Sequence, residues 1–284
     1  MRAFLKLMFL ALPLTFAATL SAATSTASSS SLMLTLDPGA TLVTKITQGK
    51  AKITQEFTAV GNINGYVLSP ASGSGGAMII YADNQGKYLF LGNLIDPSGK
   101  NLSAEFTQKY VVSVTAKSAI VDAQKSHWIV DGKDSAPHQA YIYLDPNCIY
   151  CHLLYKEVFP LIDSGQLQVR WIPVGFLKAS SPGKSAALLQ PKDPATADDL
   201  LRQDELKFDA QKEEGGIKAL DNNKTNSAVF DQVSDNTALF NQYGFQGTPT
   251  LIYVDKTTGQ PSYYPGYLGG QDFQNLVSSM GKAW

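Results

Sequence analysis

The sequence predicts an α+β protein in two parts joined by a helix: a small antiparallel sheet, then an α/β layered domain. Three observations predict it. Between about residues 32 and 97, short apolar runs alternate with turns rich in Gly, Asn and Asp. From Ala140 a strand-like run ends at Leu144, breaks at Asp145-Pro146-Asn147, and gives way to a helical pattern opening with Cys148-Ile149-Tyr150-Cys151. Further on, Gly247-Thr248-Pro249-Thr250 is a turn that opens another strand, ending at Val254.

The chain has 284 residues, room for two ordinary domains, and its 44% hydrophobic and 17% charged content is that of a globular protein with a substantial core. A formal charge of −1 announces no basic surface and argues against nucleic acid as a partner. At the start, Arg2 and Lys6 precede an apolar run from Leu7 to Leu20, interrupted by Pro13, and Ser21-Ala22-Ala23 offers small residues for cleavage. Residues 1–23 therefore read as a secretory signal peptide, an N-terminal membrane anchor being the alternative that the short run disfavours. Its removal leaves 21 basic and 24 acidic residues, a charge of −3. No cysteine follows it, so a lipid anchor is not indicated. Disulfides persist in exported proteins. Two cysteines three residues apart, the only ones present, cannot staple a fold of this size, and point to chemistry instead.

Residues 24–31 are a polar, low-complexity lead-in. Phe57 to Val60 and Tyr66 to Leu68 flank a stretch whose Asn64-Gly65 suits a tight turn. Ala77 to Tyr81 and Tyr88 to Leu91 form a second hairpin pattern, after a loop at residues 72–76, and Asp96-Pro97-Ser98-Gly99 carries turn residues at each position. Such a sheet could offer an edge strand to a second copy. Residues 101–120 read as a linker helix capped by Asn101, with Glu105 and Lys109 spaced as a favourable pair. Its β-branched run Val111 to Thr115 weakens the helical pattern. The helix is either a semi-rigid connector or one packed on the preceding sheet.

The second part starts near Val121. From Cys151 the apolar residues Leu154, Tyr155 and Val158 mark one helical face, with Pro160 expected to end or kink the helix. A strand pattern covers Leu167 to Phe176, and a polar helical insertion runs from about 179 to 236, broken at Gly215-Gly216. A short helix from Asn236 to Tyr243 closes at Gly244. Tyr263 to Tyr267 is a strand, and Gly270 to Met280 a last helix with Phe273, Leu276, Val277 and Met280 on one face.

A thiol at a helix N-terminus sits among unpaired N–H groups and the positive end of the helix dipole, which favour the thiolate. A free cysteine titrates near ~8.5, and such motifs lower it to roughly 3.5–7.5. Cys148, at the helix start near the N–H groups of Ile149, Tyr150 and Cys151, is thus the exposed nucleophile, and Cys151, on the apolar face, the resolving partner. The bland alternative is a small inert disulfide or two buried thiols. Cys148-Ile149-Tyr150-Cys151-His152 also matches the attachment pattern of c-type haem, which would need His152 as proximal ligand and an opposite ligand such as Met280 or His127. Zinc is weaker: His127, His138 and His152 show no paired spacing.

The cysteine pair at a strand–helix join and the Gly-Thr-Pro-Thr turn that opens a later strand resemble the thioredoxin fold. With the export signal, the small N-terminal sheet, the connector helix and the insertion, the chain looks more closely like the periplasmic disulfide isomerase group of DsbC and DsbG. The absence of a further cysteine pair favours the DsbG side. The resemblance implies a cystatin-like dimerisation domain over residues 24–100, a linker helix, and a thioredoxin-like catalytic domain over 121–284. It implies that Pro249 is cis and, with Thr248, faces the cysteines and binds extended substrate. About 5–6% of X–Pro bonds are cis, so spacing alone does not select that form. It further implies a V-shaped periplasmic homodimer that receives unfolded or oxidised exported proteins, kept reduced by the inner-membrane donor DsbD. No cofactor or metal is implied beyond the Cys148–Cys151 pair. Ile149 departs from the Cys-Pro-Tyr-Cys usual in DsbG, and supplies an N–H that could point at the Cys148 sulfur. The expected activity is that of a thiol–disulfide oxidoreductase, an isomerase or a reductase of sulfenylated cysteines. A DsbA-like oxidase and a non-redox client-binding chaperone are the alternatives.

Overall fold

Asp37 begins the described part of the chain: a computed structural model describes residues 37–72 and 75–284. The signal peptide, the lead-in at 24–31 and part of the 72–76 loop lie outside it. The first element is one that the strand pattern did not include, helix α1 (Pro38–Thr47). Asp37 caps it by accepting from the Ala40 N–H at 3.3 Å, and Pro38 fits the first helical position, where no N–H is needed. Ala40 and Val43 on its buried face pack on Tyr66, Leu68, Ile80 and Ala82 of a four-stranded sheet.

That sheet is antiparallel, β1 (Ala51–Val60), β2 (Ile63–Pro70), β3 (Met78–Asp83) and β4 (Leu89–Phe90), in the order β1-β2-β3-β4. The first hairpin turns at Gly61-Asn62, with Gly61 at φ 52°, and not at Asn64-Gly65, which lie inside β2 opposite Thr58 and Phe57. Gly65 is needed for packing: a Cβ there would run into the Phe57 ring. Phe57 in turn stacks on Tyr110 at 4.1 Å and meets Phe106 at 5.0 Å, so the linker helix packs on this sheet. The 96–99 turn forms as expected, closed by the Gly99 N–H on the Asp96 carbonyl at 2.9 Å.

The linker comprises α2 (Leu102–Thr107), a π-helical turn (Gln108–Val112) and α3 (Ser113–Lys125). Asn101 caps it through the Ala104 N–H at 3.1 Å. The β-branched run is absorbed by the widened turn, and the helix runs past residue 120 to Lys125. Glu105 pairs with Lys100 at 2.6 Å, not with Lys109, whose ammonium lies 4.8 Å from the centre of the Tyr110 ring.

The second sheet contains β5 (Ile129–Asp131), β6 (His138–Leu144), β7 (Leu167–Pro173), β8 (Thr250–Val254) and β9 (Pro261–Pro265), ordered β5-β7-β6-β8-β9 with only β6 and β7 parallel. Alternation along β6 divides the core. Ile142 and Leu144 join Leu154 and Val158 of α4 (Ile149–Asp163) and Phe273 of α8 (Gly270–Ser279) on one face. Tyr141 and Tyr143 face Ile120 of α3 and Phe240 of α7 (Ser227–Gln242) on the other. Helix α4 continues through Pro160 to Asp163; Pro160 and Lys156, whose carbonyl the proline leaves without its helical donor, are both exposed residues.

Within the insertion lie α5 (Ser181–Leu189) and α6 (Pro194–Leu206), and α7 begins at Ser227 instead of Asn236. Asn236 is no helix start. Its buried side chain accepts from the His127 N–H at 3.0 Å and donates to the carbonyls of His127 and Pro173.

Candidate active site

Strand β6 delivers the chain to the centre of its sheet edge, and the Asp145-Pro146-Asn147 loop turns it into α4 with Cys148 as N-cap. The Cys148 N–H donates to the Asp145 carbonyl at 2.9 Å, and its sulfur accepts from the Cys151 N–H at 3.3 Å. On the opposite side the Cys148 thiol donates to the Thr248 carbonyl at 3.1 Å, across 100 residues of sequence. The Thr248–Pro249 peptide is cis. The Pro249 carbonyl accepts from Gly266 N–H at 2.7 Å, and the Thr250 hydroxyl donates to the Gly247 carbonyl at 2.8 Å, which holds this loop in place. The two sequence elements singled out separately, Cys148–Cys151 and Thr248–Pro249, are thus brought together.

Both cysteines are free thiols. Cys148, expected to be exposed, is only 5% exposed, and Cys151 is 2% exposed. Hydrogen bonding from the Cys151 thiol, more than offsetting burial, brings Cys148 down to about 7, with help from Thr248 and the N–H groups of Cys151 and Tyr150. Burial first, then the neighbouring Cys148, pushes Cys151 well above the usual thiol range. The N–H of Ile149 is not among the donors. It occupies the first helical position, where proline is tolerated, so the extra donor expected there is not realised.

A family model described as a thioredoxin-like domain matches residues 129–281. The chain is 34% identical over 205 residues to the thiol:disulfide interchange protein DsbG of Pseudomonas aeruginosa, covering 72% of this chain and 75% of that one. It is 32% identical over 206 residues to DsbG of Escherichia coli, covering 72% and 77%. To DsbC of Haemophilus influenzae it is 30% identical over 146 residues, covering 48% and 59%. The chain belongs to the DsbC/DsbG family. It is a thiol–disulfide oxidoreductase with a thioredoxin-like domain.

Around this family's cysteine pair lies a buried polar network that the sequence did not disclose. Asp145 is fully buried, and its carboxylate accepts from the Asn147, Phe176 and Leu177 N–H groups and the Ser181 hydroxyl, at 2.7 to 3.0 Å. Asn147 donates to the hydroxyls of Ser180 and Ser181 and accepts from the Gly215 N–H at 3.2 Å. Lys184, also buried, donates to the Gly215 carbonyl. The loop before Cys148 is thereby tied to both ends of the first half of the insertion. Asp-Pro-Asn reads as a turn in sequence. Nothing local says that its side chains turn inward. Phe176 and Leu177, on the segment bonded to Asp145, and Tyr150, 56% exposed, present apolar side chains to solvent.

His152 does not stand ready as an axial ligand. Its Nδ1 lies 2.8 Å from the Glu205 carboxylate and its ring stacks on Phe208 at 4.4 Å. Met280 is buried in the core with its carbonyl bound to His138, and His127 lies 3.7 Å from Asp235. The haem constellation is therefore not assembled, and both sulfurs are enclosed in the core. Among the described residues no three of His, Cys, Asp or Glu gather as metal ligands.

Proposed function

We propose that this protein is an exported, periplasmic disulfide isomerase that also reduces sulfenylated cysteines, with Cys148 as nucleophile and Cys151 as resolving thiol. One observation carries the assignment of roles: the two thiols are shifted in opposite directions, Cys148 to about 7 and Cys151 far upward. At neutral pH Cys148 is the sulfur that is substantially thiolate, and only the thiolate attacks.

The Cys148 thiolate attacks one sulfur of a client disulfide, forming a mixed disulfide and expelling the other client sulfur as thiolate. That thiolate can attack a different client disulfide and, after rearrangement, displace Cys148 unchanged, which is isomerisation. Alternatively Cys151 loses its proton and attacks the Cys148 sulfur, releasing the client thiolate and leaving a Cys148–Cys151 disulfide. A sulfenic acid enters the same path, its sulfur bonding to Cys148 with loss of hydroxide, which takes up a proton as water. Thr248 and Pro249 lie beside the reacting sulfur, and the Thr248 backbone would bind an extended client segment in strand fashion. The oxidised pair would be returned to the dithiol by DsbD, and the cysteines themselves serve as the redox centre. Residues 24–100 would pair two copies into a homodimer, joined by the linker helix to the catalytic domain at 121–284.

The test is a trapping experiment on the mature chain. Cys151→Ala should accumulate mixed disulfides with scrambled or oxidised client proteins through Cys148, while Cys148→Ala should accumulate none. Equal trapping by both variants, or refolding of scrambled client by Cys148→Ala, would overturn the assignment. Alkylation in freshly extracted cells separates the isomerase from a DsbA-like oxidase: the isomerase is recovered mainly as the dithiol.

A further inference from the structure

The pair Gly215-Gly216 reads in sequence as a break in the polar insertion. In the structure Gly215 is buried against the turn that precedes Cys148. A Cβ there would lie 2.5 Å from both carboxyl oxygens of Asp204 and 2.6 Å from the Pro146 carbonyl oxygen. Glycine is needed here for close approach, since both neighbours crowd the same point. Gly215 is also held from two sides. Its N–H donates to Asn147 Oδ1 at 3.2 Å, and its carbonyl accepts from the Lys184 ammonium. Asp204, fully buried in the last turn of α6, fixes the two residues that follow. Its main-chain carbonyl accepts from the Gly216 N–H and its Oδ1 from the Ile217 N–H, both at 2.9 Å.

We propose that Asp204 is a positioning residue for the reactive thiol: through Gly215 it seats the Pro146-Asn147 turn in the form that makes Cys148 the N-cap of α4. The proposal rests on Cys148 being the attacking thiol. Burying a carboxyl at this place costs free energy. Burial, reinforced by Glu205 and Asp145, pushes Asp204 up to about 7 against the opposing pull of the Ile217 N–H and Lys184. An apolar side chain would fill the space at less cost, but would leave the Ile217 N–H without this acceptor. The effect on the sulfur is geometric. The N–H groups of Cys151 and Tyr150 favour the Cys148 thiolate, and they face it while Cys148 keeps its extended N-cap backbone, φ −87° and ψ 114°. With Gly215 unseated, Asn147 loses a donor and the turn is free to rotate. The thiolate then loses part of that support.

The experiment follows iodoacetamide alkylation of the reduced mature chain against pH, with mass spectrometry identifying the labelled cysteine. Asp204→Ala and Gly215→Ala should raise the midpoint and slow alkylation at about pH 7 by roughly threefold to tenfold, the range for one hydrogen bond to an ionised group. Asp204→Asn keeps an oxygen acceptor for Ile217 in an uncharged side chain, and should stay within about twofold of wild type. Ile120→Ala, on the opposite face of the sheet, should cost stability without moving the midpoint. A measurement on the unaltered chain depends on no variant folding. Coupling is reciprocal, so closing the Cys148–Cys151 disulfide should change hydrogen exchange at the Gly215 and Gly216 amides severalfold. The Leu220 amide, bonded to Gly183 within the same insertion, should not respond. Wild-type midpoints in Asp204→Ala and Gly215→Ala, or Gly215 exchange indifferent to redox state, would overturn the proposal. So would an Asp204→Asn rate as low as that of Asp204→Ala, or a midpoint moved as far by Ile120→Ala. Label found on Cys151 instead of Cys148 in the wild type would overturn the assignment of the nucleophile, and this proposal with it.

Discussion

The two sheets of this protein solve the same burial problem to different degrees. The five-stranded sheet is covered on both faces, with Ile142, Leu154 and Trp171 in one core and Tyr143, Ile172 and Phe240 in the other. The four-stranded sheet has one small core beneath α1, and around its short last strand Met78, Tyr88, Phe90, Leu91 and Ile95 remain exposed. Apolar side chains grouped this way favour covering by a partner surface. The difference teaches that the cysteines sit in the half whose packing is complete, while the apolar surface left on the other half is what the proposed homodimer would cover. Both sulfurs are embedded in the larger core, where a shift of one methylene would be felt.

The sharpest way to break this division is to remove one side of it at a time. Cys148→Ala should eliminate disulfide exchange while leaving the mass by light scattering unchanged. Phe90→Asp with Leu91→Asp should do the reverse, halving the mass and preserving the reaction of Cys148 with a small disulfide. If the surface variant loses exchange with that small disulfide, the two halves are not separable. A second contrast is in stability. Leu154→Ala, in the complete core, should cost about 2–5 kcal/mol in denaturant unfolding, and Leu91→Ala less than about 0.5 kcal/mol.

Smaller effects sharpen the picture of the site itself. Iodoacetamide alkylation of Cys148 should rise with a midpoint about 7. Thr248→Val, which removes a buried hydroxyl that has no other partner among the described residues and can turn to the thiolate, should move that midpoint up by less than about one unit, the most that ~1.5 kcal/mol for a hydrogen bond to a charged group allows. The shift has a stability counterpart. The folded value lies below the unfolded value of about 8.5. The contribution of Cys148 to the reduced protein is therefore complete above that value and is lost as pH falls through about 7. Urea titrations of reduced wild type and Cys148→Ala should diverge in wild type's favour as pH rises across this window. The smallest change expected is Ile149→Pro, with a midpoint shift of no more than about a few tenths of a unit, since its N–H is not aimed at the sulfur.

What could be read from the sequence depended on how local its cause was. The cysteine pair at a strand–helix join was legible, because helical periodicity and a turn are written into adjacent residues. So were the caps at Asn101 and the strand after Pro249. The start of α7 was not, since Asn236 owes its place to His127 and Pro173, far away in sequence. Asn64-Gly65 looked like a turn because its glycine is needed by a ring on the neighbouring strand. The pairing of Cys148 with Thr248 came from family resemblance, and the inward-facing Asp145 and Asn147 had no sequence signal at all.

The knot formed by Asn147 with Ser180, Ser181 and Gly215 bears on how this protein can be altered. A long polar insertion invites deletion, exchange or fusion, as surface segments usually tolerate. Here the segment from Ser180 to Gly215 is closed upon the residue that precedes the reactive thiol. Engineered insertions would do least harm beyond Gly216, around Asn222 and Asn223, where the chain is exposed. Splicing between the two anchor points would reset the aim of Cys148 without touching it.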